Sequence, residues 1–279
     1  MTLVGRLRRG GLLTAIAALL GACVSETPQP TPPPRPAPTS GTETKDRVTA
    51  SDEPEAQRRA RARMELAAAY FGQNQMTTAL DQVKLAIAAD PLYGEAFNLR
   101  GLIYANLGDN VLAEESFKRA LQLNPRDADT MQNYAWYLCQ QKRYPESNAY
   151  FAQALAAPQY RGVARTLLAQ GVCEAHAGNL AESEILLSRA YELDPTNPFA
   201  ATNLAEVLYR RGEYERARFY IRRVNSQVDV ANAQTLWLAA RIENKLGNVQ
   251  GTAALGGQLR SRFPESREAA AFSRGSFDE

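Results

Sequence analysis

The chain has 279 residues, a single histidine, three cysteines and a formal net charge of +2. So few histidines and cysteines exclude the clustered ligands of a zinc centre and leave little for nucleophilic catalysis. A near-neutral balance gives no basic surplus with which to hold nucleic acid.

The chain opens with Arg6, Arg8 and Arg9 and carries no acid before Glu26. The apolar run from Gly11 to Leu20 is too short to span a bilayer, which takes about 20 residues. A basic start, a short apolar middle and small residues at the end make residues 1–22 a secretory signal peptide. Leu20-Gly21-Ala22-Cys23 resembles the lipobox of bacterial lipoproteins. That resemblance implies cleavage before Cys23, a diacylglyceryl group on its thiol and acylation of the new amine. Several acyl chains, at roughly 0.8 kcal/mol per buried methylene, anchor stably where one would not. Val24, where a retention signal would have Asp, implies sorting to the outer membrane, facing the periplasm. Plain cleavage beside a coincidental cysteine is the alternative. Losing the three arginines takes the formal charge from +2 to −1, so an anionic bilayer face gains no basic partner either. Behind Cys23, the stretch to residue 57 holds eight prolines (Pro28, Pro30, Pro32, Pro33, Pro34, Pro36, Pro38 and Pro54) and almost no large apolar side chain. It cannot bury enough surface to offset its ordering entropy. It reads as a disordered stalk of polyproline character, rising about 3.1 Å per residue. "PTPPPRPAP" would also suit an SH3-type domain, a partner that the periplasm argues against.

From there the chain repeats. Aligned on Pro91, Pro125, Pro195 and Pro264, it has a period near 34 residues, with units starting near residues 60, 94, 128, 164, 198 and 233. Each unit holds two apolar stripes at helical spacing, separated by "GQNQ", "LGDN", "KRYP", "AGNL", "RGEY" or "LGNV". The clearest has Phe97, Arg100-Gly101 and Tyr104, then Ala113, Phe117, Ala120 and Pro125. Small residues at the eighth and twentieth positions let paired helices approach, and a larger one at the twenty-fourth fills the gap. One hairpin cannot bury its apolar face, whereas stacked hairpins can. This pattern resembles the tetratricopeptide repeat (TPR) over residues 60 to about 264. It implies an all-α, right-handed superhelical solenoid of about six TPR helix-turn-helix repeats across 58–264. Pro158-Gln159-Tyr160 marks a longer loop between repeats. The sixth unit departs most, with Gly256 where a bulky residue is expected; it reads as partly a cap, and 265–279 as a loosely packed or frayed tail.

Chemistry is hard to find. Cys173 and His176 stand three apart on one helix face, but two ligands do not make a metal site. Phosphate loop, Ser-His-Asp order and Rossmann glycines are all missing. The expectation is no catalysis, no metal, no cofactor and no small-molecule substrate. Cys139 and Cys173 fall at positions 12 and 10 of the first helices of repeats 3 and 4, which stack side by side in a TPR array. In an oxidising compartment they predict a disulfide, with two separately buried thiols as the alternative.

In TPR proteins positions 2, 5, 9 and 12 of each first helix line a concave groove. Here they offer Met64 and Phe71; Glu95, Asn98 and Leu102; Asp129, Gln132 and Trp136; Phe199, Glu206 and Tyr209; and Trp237 and Arg241. We take Met64, Phe71, Asn98, Leu102, Gln132, Trp136, Tyr209 and Trp237 as candidate partner-binding residues, with repeats 1 to 3 as the main contact region. Met64 and Ala68 stand where chaperone-binding relatives clamp a terminal carboxylate, so that clamp is absent. An apolar, aromatic groove suits a docked helix or extended segment.

Three stretches carry a closer resemblance: "NYAWYLCQQKRYPES" (133–147), "AQALAAPQYRGVARTLLAQGVCEAHAGN" (152–179) and "RSRFPES" (260–266). They are similar to the PilF/PilW lipoproteins of type IV pilus biogenesis. The resemblance implies a pilotin, which binds secretin subunits through its repeats and uses its lipid to bring them to the outer membrane for assembly. A lipidated scaffold for outer-membrane protein assembly or peptidoglycan machinery is the alternative, and an adaptor recruiting an envelope hydrolase a further one.

Overall fold

The computed structural model describes residues 54–277; the expected signal peptide, the lipidation expected at Cys23 and the stalk expected up to residue 53 lie outside the described residues. The described residues form thirteen helices and no strand. Six hairpins follow one another: α1 (Glu55–Gly72) with α2 (Met76–Ala89), α3 (Gly94–Leu107) with α4 (Asn110–Leu123), and α5 (Ala128–Gln140) with α6 (Tyr144–Ala156). Then come α7 (Val163–Ala177) with α8 (Leu180–Leu193), α9 (Pro198–Arg210) with α10 (Tyr214–Asn225), and α11 (Ala233–Lys245) with α12 (Val249–Arg262). A single helix, α13 (Arg267–Arg274), closes the stack.

The turn inside each hairpin is built the same way. The fifteenth residue of every repeat has positive φ: Asn74, Gly108, Lys142, Gly178, Gly212 and Gly247, between 60° and 90°. Glycine takes this left-handed conformation without steric cost and asparagine tolerates it, whereas Lys142 holds it against the strain that its Cβ brings. Several helix starts are capped by the residue before them. The Asp127 carboxylate accepts from the amides of Asp129 and Thr130, Asn197 from those of Phe199 and Ala200, and Asn232 and Thr235 form a reciprocal capping box. Each such cap satisfies amides that have no partner within the helix.

Within a hairpin, the small residues at positions 8 and 20 are buried throughout, from Ala67 and Ala79 in repeat 1 to Ala240 and Thr252 in repeat 6. In repeats 3 and 4 the contact is direct: Ser147 Oγ donates to the Ala135 carbonyl at 2.7 Å, and Ser183 Oγ to that of Gly171 at 2.6 Å. The residue at position 24 then lies against position 8. A methyl on Gly101 would stand 2.8 Å from the Phe117 ring, so this repeat keeps its large aromatic by giving up the Cβ opposite. Phe117 in turn packs with Tyr134 and Tyr137 of the next repeat, ring centroids 5.5 and 5.6 Å away.

Between hairpins, polar groups recur at position 21. Glu114 takes a 2.8 Å ion pair from Arg143 of repeat 3, and Asn148 donates through Nδ2 to Glu174 of repeat 4. Glu184 pairs with Arg211 and Arg216 of repeat 5, and Arg218 with Glu243 of repeat 6. Glu174 and Glu243 are buried, and each also accepts from the asparagine five residues on, Asn179 at 2.6 Å and Asn248 at 2.8 Å. Buried carboxylates are tolerated only when so partnered. A disulfide joins Cys139 of α5 to Cys173 of α7, with Cα atoms 5.8 Å apart.

The backbone of each first helix packs against that of the next first helix, from α1 on α3 to α11 on α13, while successive second helices stand farther apart and meet through long side chains, as Glu184 and Tyr191 of α8 do with Arg216 and Tyr220 of α10. The first helices therefore lie closer together and form the inner, concave face of the stack.

Sequence expectations change at the two ends of the array. The solenoid begins at Glu55 rather than near residue 58 or 60, because "EAQRRARARMEL" continues α1 outward with no breaker after Pro54. Between them, the longer connection expected around Pro158-Gln159-Tyr160 is present as the six-residue segment between Ala156 and Val163, and a seven-residue one lies between Asn225 and Ala233. The tail is not frayed. It forms α13, capped by Ser266, and Phe272 lies over Gly256 so closely that a Cβ there would overlap its ring. The bulky group missing from position 24 of repeat 6 is thus supplied by the tail.

Candidate functional site

The inner face carries its openings at both ends. Toward the amino-terminal end, Met64, Asn98, Leu99, Leu102 and Glu95 line a cavity of about 440 Å³ with Asp127 and Asp129 at its margin. Asn98 is held by Asn133 of the next first helix, whose Nδ2 donates to Asn98 Oδ1 at 3.2 Å. Tyr93 donates to Glu95 at 3.3 Å; burial first, and then the neighbouring Glu95 carboxylate, push its hydroxyl up to about 12. Asp129 is paired with Arg165 of repeat 4. A smaller cavity of about 260 Å³ continues along the face, lined by Leu102, Asn133 and Trp136. Together these make an apolar floor with amide and carboxylate groups at its edge. Such a surface can hold an apolar segment and orient it by hydrogen bonds.

At the other end, Phe199, Thr202, Glu206, Gln234 and Leu238 line a cavity of about 500 Å³ bordered by the Asn225–Ala233 connection. Phe199 is 70% exposed, an aromatic ring standing in solvent at the rim. Glu206 is paired with Arg241 at 3.0 Å, and Arg241 stacks over the Tyr209 ring at 4.6 Å.

The structure gathers Met64, Asn98 and Leu102 in one cavity and joins Trp136 to them through Leu102. It does not present the other candidates equally. Gln132 is only 6% exposed, covered between helices, with its Oε1 unpartnered. Phe71 packs against the core shared by repeats 1 and 2. Trp237 lies beneath Phe272 and Phe277 of the tail, and Tyr209 donates to the Phe277 carbonyl at 3.5 Å. Asn124 and Asp127, on the connection before α5, were missed because the four-position rule reads first helices only. Cys173 is committed to its disulfide, so it and His176 are no ligand pair. Among the described residues no group of three or more His, Cys, Asp or Glu side chains could hold a metal ion.

The repeated hairpin, with its small pairs at positions 8 and 20 and its inner face of first helices, defines a TPR protein. Tetratricopeptide-repeat family models match residues 94–127, 116–147, 134–198 and 174–242. The solved structure of PilW, a widely conserved type IV pilus biogenesis factor, is 33% identical with a TM-score of 0.72, covering 76% of this chain and 97% of that one. The type IV pilus assembly protein PilF of Pseudomonas aeruginosa is 25% identical over 205 residues, 74% of this chain and 81% of its own length. Its solved structure shares the fold, with a TM-score of 0.68 at 23% identity over 79% of this chain and 99% of that one. The chain belongs to the PilF/PilW family.

Proposed function

We propose that this chain acts in type IV pilus biogenesis as an outer-membrane pilotin, binding secretin subunits on the inner face of its repeats and promoting their assembly at the outer membrane. Membership of the PilF/PilW family carries the reading. The amino-terminal cavity supports it, because it offers an apolar floor and oriented amides to a polypeptide partner. The lipobox ending in Cys23 fits an acyl anchor facing the periplasm. No bond need be made or broken. The tether confines captured subunits to a thin layer and raises their local concentration.

Deleting the gene and running outer membranes on a gel for heat-resistant secretin multimers tests the reading; multimers at the wild-type level would overturn it. Complementation separates the parts. Cys23→Ser should leave subunit binding intact while the multimers fail to reach the outer membrane. Met64→Glu should abolish binding, and Phe199→Ala, at the other end of the face, should preserve it.

A further inference from the structure

The carboxyl-terminal end of the inner face is already occupied. Trp237, Tyr209 and Arg241 hold positions 5, 12 and 9 of their repeats, all positions that line this face. Gly275 ends α13 at φ 72° and turns the chain back, with the Ser276 amide donating to the Ala271 carbonyl at 3.1 Å. The turn delivers Phe277 onto the groove. Its ring stacks on Trp237 with centroids 5.2 Å apart and planes 28° from parallel, and Phe272 closes one edge at 5.6 Å. The Phe277 carbonyl accepts from Tyr209 Oη at 3.5 Å, while Arg241 covers the outer face of Tyr209 at 4.6 Å.

Capping does not require this. The cap is made by α13 itself, through Ala269 and Phe272 against Leu236 and Leu259. Phe277 comes after the helix has ended and touches side chains that elsewhere in the array face the groove. Among the described residues, one stacked ring and one long hydrogen bond hold Phe277 there, a weak contact closed because the tail is tethered beside it at millimolar effective concentration. A weak internal occupant on a recognition face is readily exchanged for an external one of like chemistry.

We infer that repeats 5 and 6 carry an aromatic-binding site, built from Trp237, Tyr209 and Arg241, which the chain fills with its own Phe277 and which accepts in exchange an aromatic side chain from a partner polypeptide. The site is separate from the amino-terminal cavity and does not depend on what that cavity binds. Stacked aromatic rings are a common form of such anchoring. A partner using both ends of the face must displace the tail, so affinity there is lowered by the fraction of time the tail is closed.

The test uses the tail in trans. The peptide SRGSFDE and its alanine counterpart SRGSADE are titrated into the full-length mature chain, its F277A variant and the F277A/W237A double variant. The Trp237 indole N–H resonance is the readout. The Phe peptide should bind F277A with an apparent Kd about tenfold below that for the unsubstituted chain, as a tail closed about ten to one requires. The alanine peptide should shift neither protein, and the double variant should not bind. In the unsubstituted chain, excess Phe peptide should also move the Phe277 amide toward its free position, which tests exchange without any substitution. Equal affinity with and without F277A, no response of F277A at several millimolar peptide, or an unmoved Phe277 amide would overturn the inference.

Discussion

Phe272 and Gly256 should behave as one packing unit split between two helices. Truncating a core Phe to Ala typically costs about 3–5 kcal/mol. Phe272 is half-buried, so F272A should cost about 2–3 kcal/mol on that scale. Because a stacked array couples only neighbouring units, the loss should concentrate in repeat 6 and α13, leaving α3 and α4 untouched. Hydrogen exchange resolves this, with faster exchange expected in α11 to α13 alone. The sharper measurement is a cycle with G256L. In the parent chain a side chain at 256 collides with the Phe272 ring, and overpacking of this kind costs about 1–3 kcal/mol. In the F272A background the same leucine enters the vacated space, as Leu187 does at the equivalent place in repeat 4, and gains roughly 1.5–3 kcal/mol from burial. Replacing a helical glycine adds about 0.8 kcal/mol. The effect of G256L should therefore reverse sign between backgrounds, measured by urea unfolding of the isolated solenoid. A leucine that stabilises both backgrounds equally, or harms both, would refute the idea that the tail fills the sixth repeat.

Further outcomes follow from the turn, the disulfide and the ion pairs. Lys142 is the only one of the six left-handed turn residues that is neither Gly nor Asn, so Lys142→Gly should raise stability by about 0.5–1 kcal/mol, read as an unchanged m-value and a higher urea midpoint. Reducing the Cys139–Cys173 bridge, with 34 residues of separation, should remove about 4 kcal/mol on the loop-entropy account; identical unfolding curves with and without reductant would contradict it. Glu114 experiences burial, which raises its pKa, yet donation from Lys118, Arg143 and Tyr134 outweighs it and holds the carboxyl down to about 2. A depressed carboxyl contributes stability that is complete above its unfolded pKa of about 4.3 and fades as pH falls toward the folded value. E114Q should accordingly flatten the midpoint-against-pH curve between pH 4.5 and 2.5, and an unaltered slope would remove Glu114 from the account.

The hairpins were legible because each rests on local rules: a small pair at positions 8 and 20, a left-handed turn residue and a breaker after the second helix. The face was legible only by position, and position fixes direction without fixing what lies above. Gln132 obeys the pattern but is roofed by adjoining helices, and Trp237 obeys it but lies under the tail. The tail could not be read from the period, since α13 stands alone and its role depends on a glycine sixteen residues upstream of Phe272. The spacing of Phe272, Gly275 and Phe277 was the available signal, an aromatic either side of a turn residue. Asn124 and Asp127 reach the cavity from a connection that the helix-based rule ignores.

The groups at position 21 also bear on how such an array can lengthen. Copying repeat 4 in tandem would set Glu184 against a second Glu174, two acids where one donor and one acceptor are needed, and copying repeat 5 would set Arg218 beside a second Arg211. Repeats 2 to 6 are therefore not interchangeable, each of these four junctions recognising its own successor. The row resists having its members shuffled or an extra copy inserted between them.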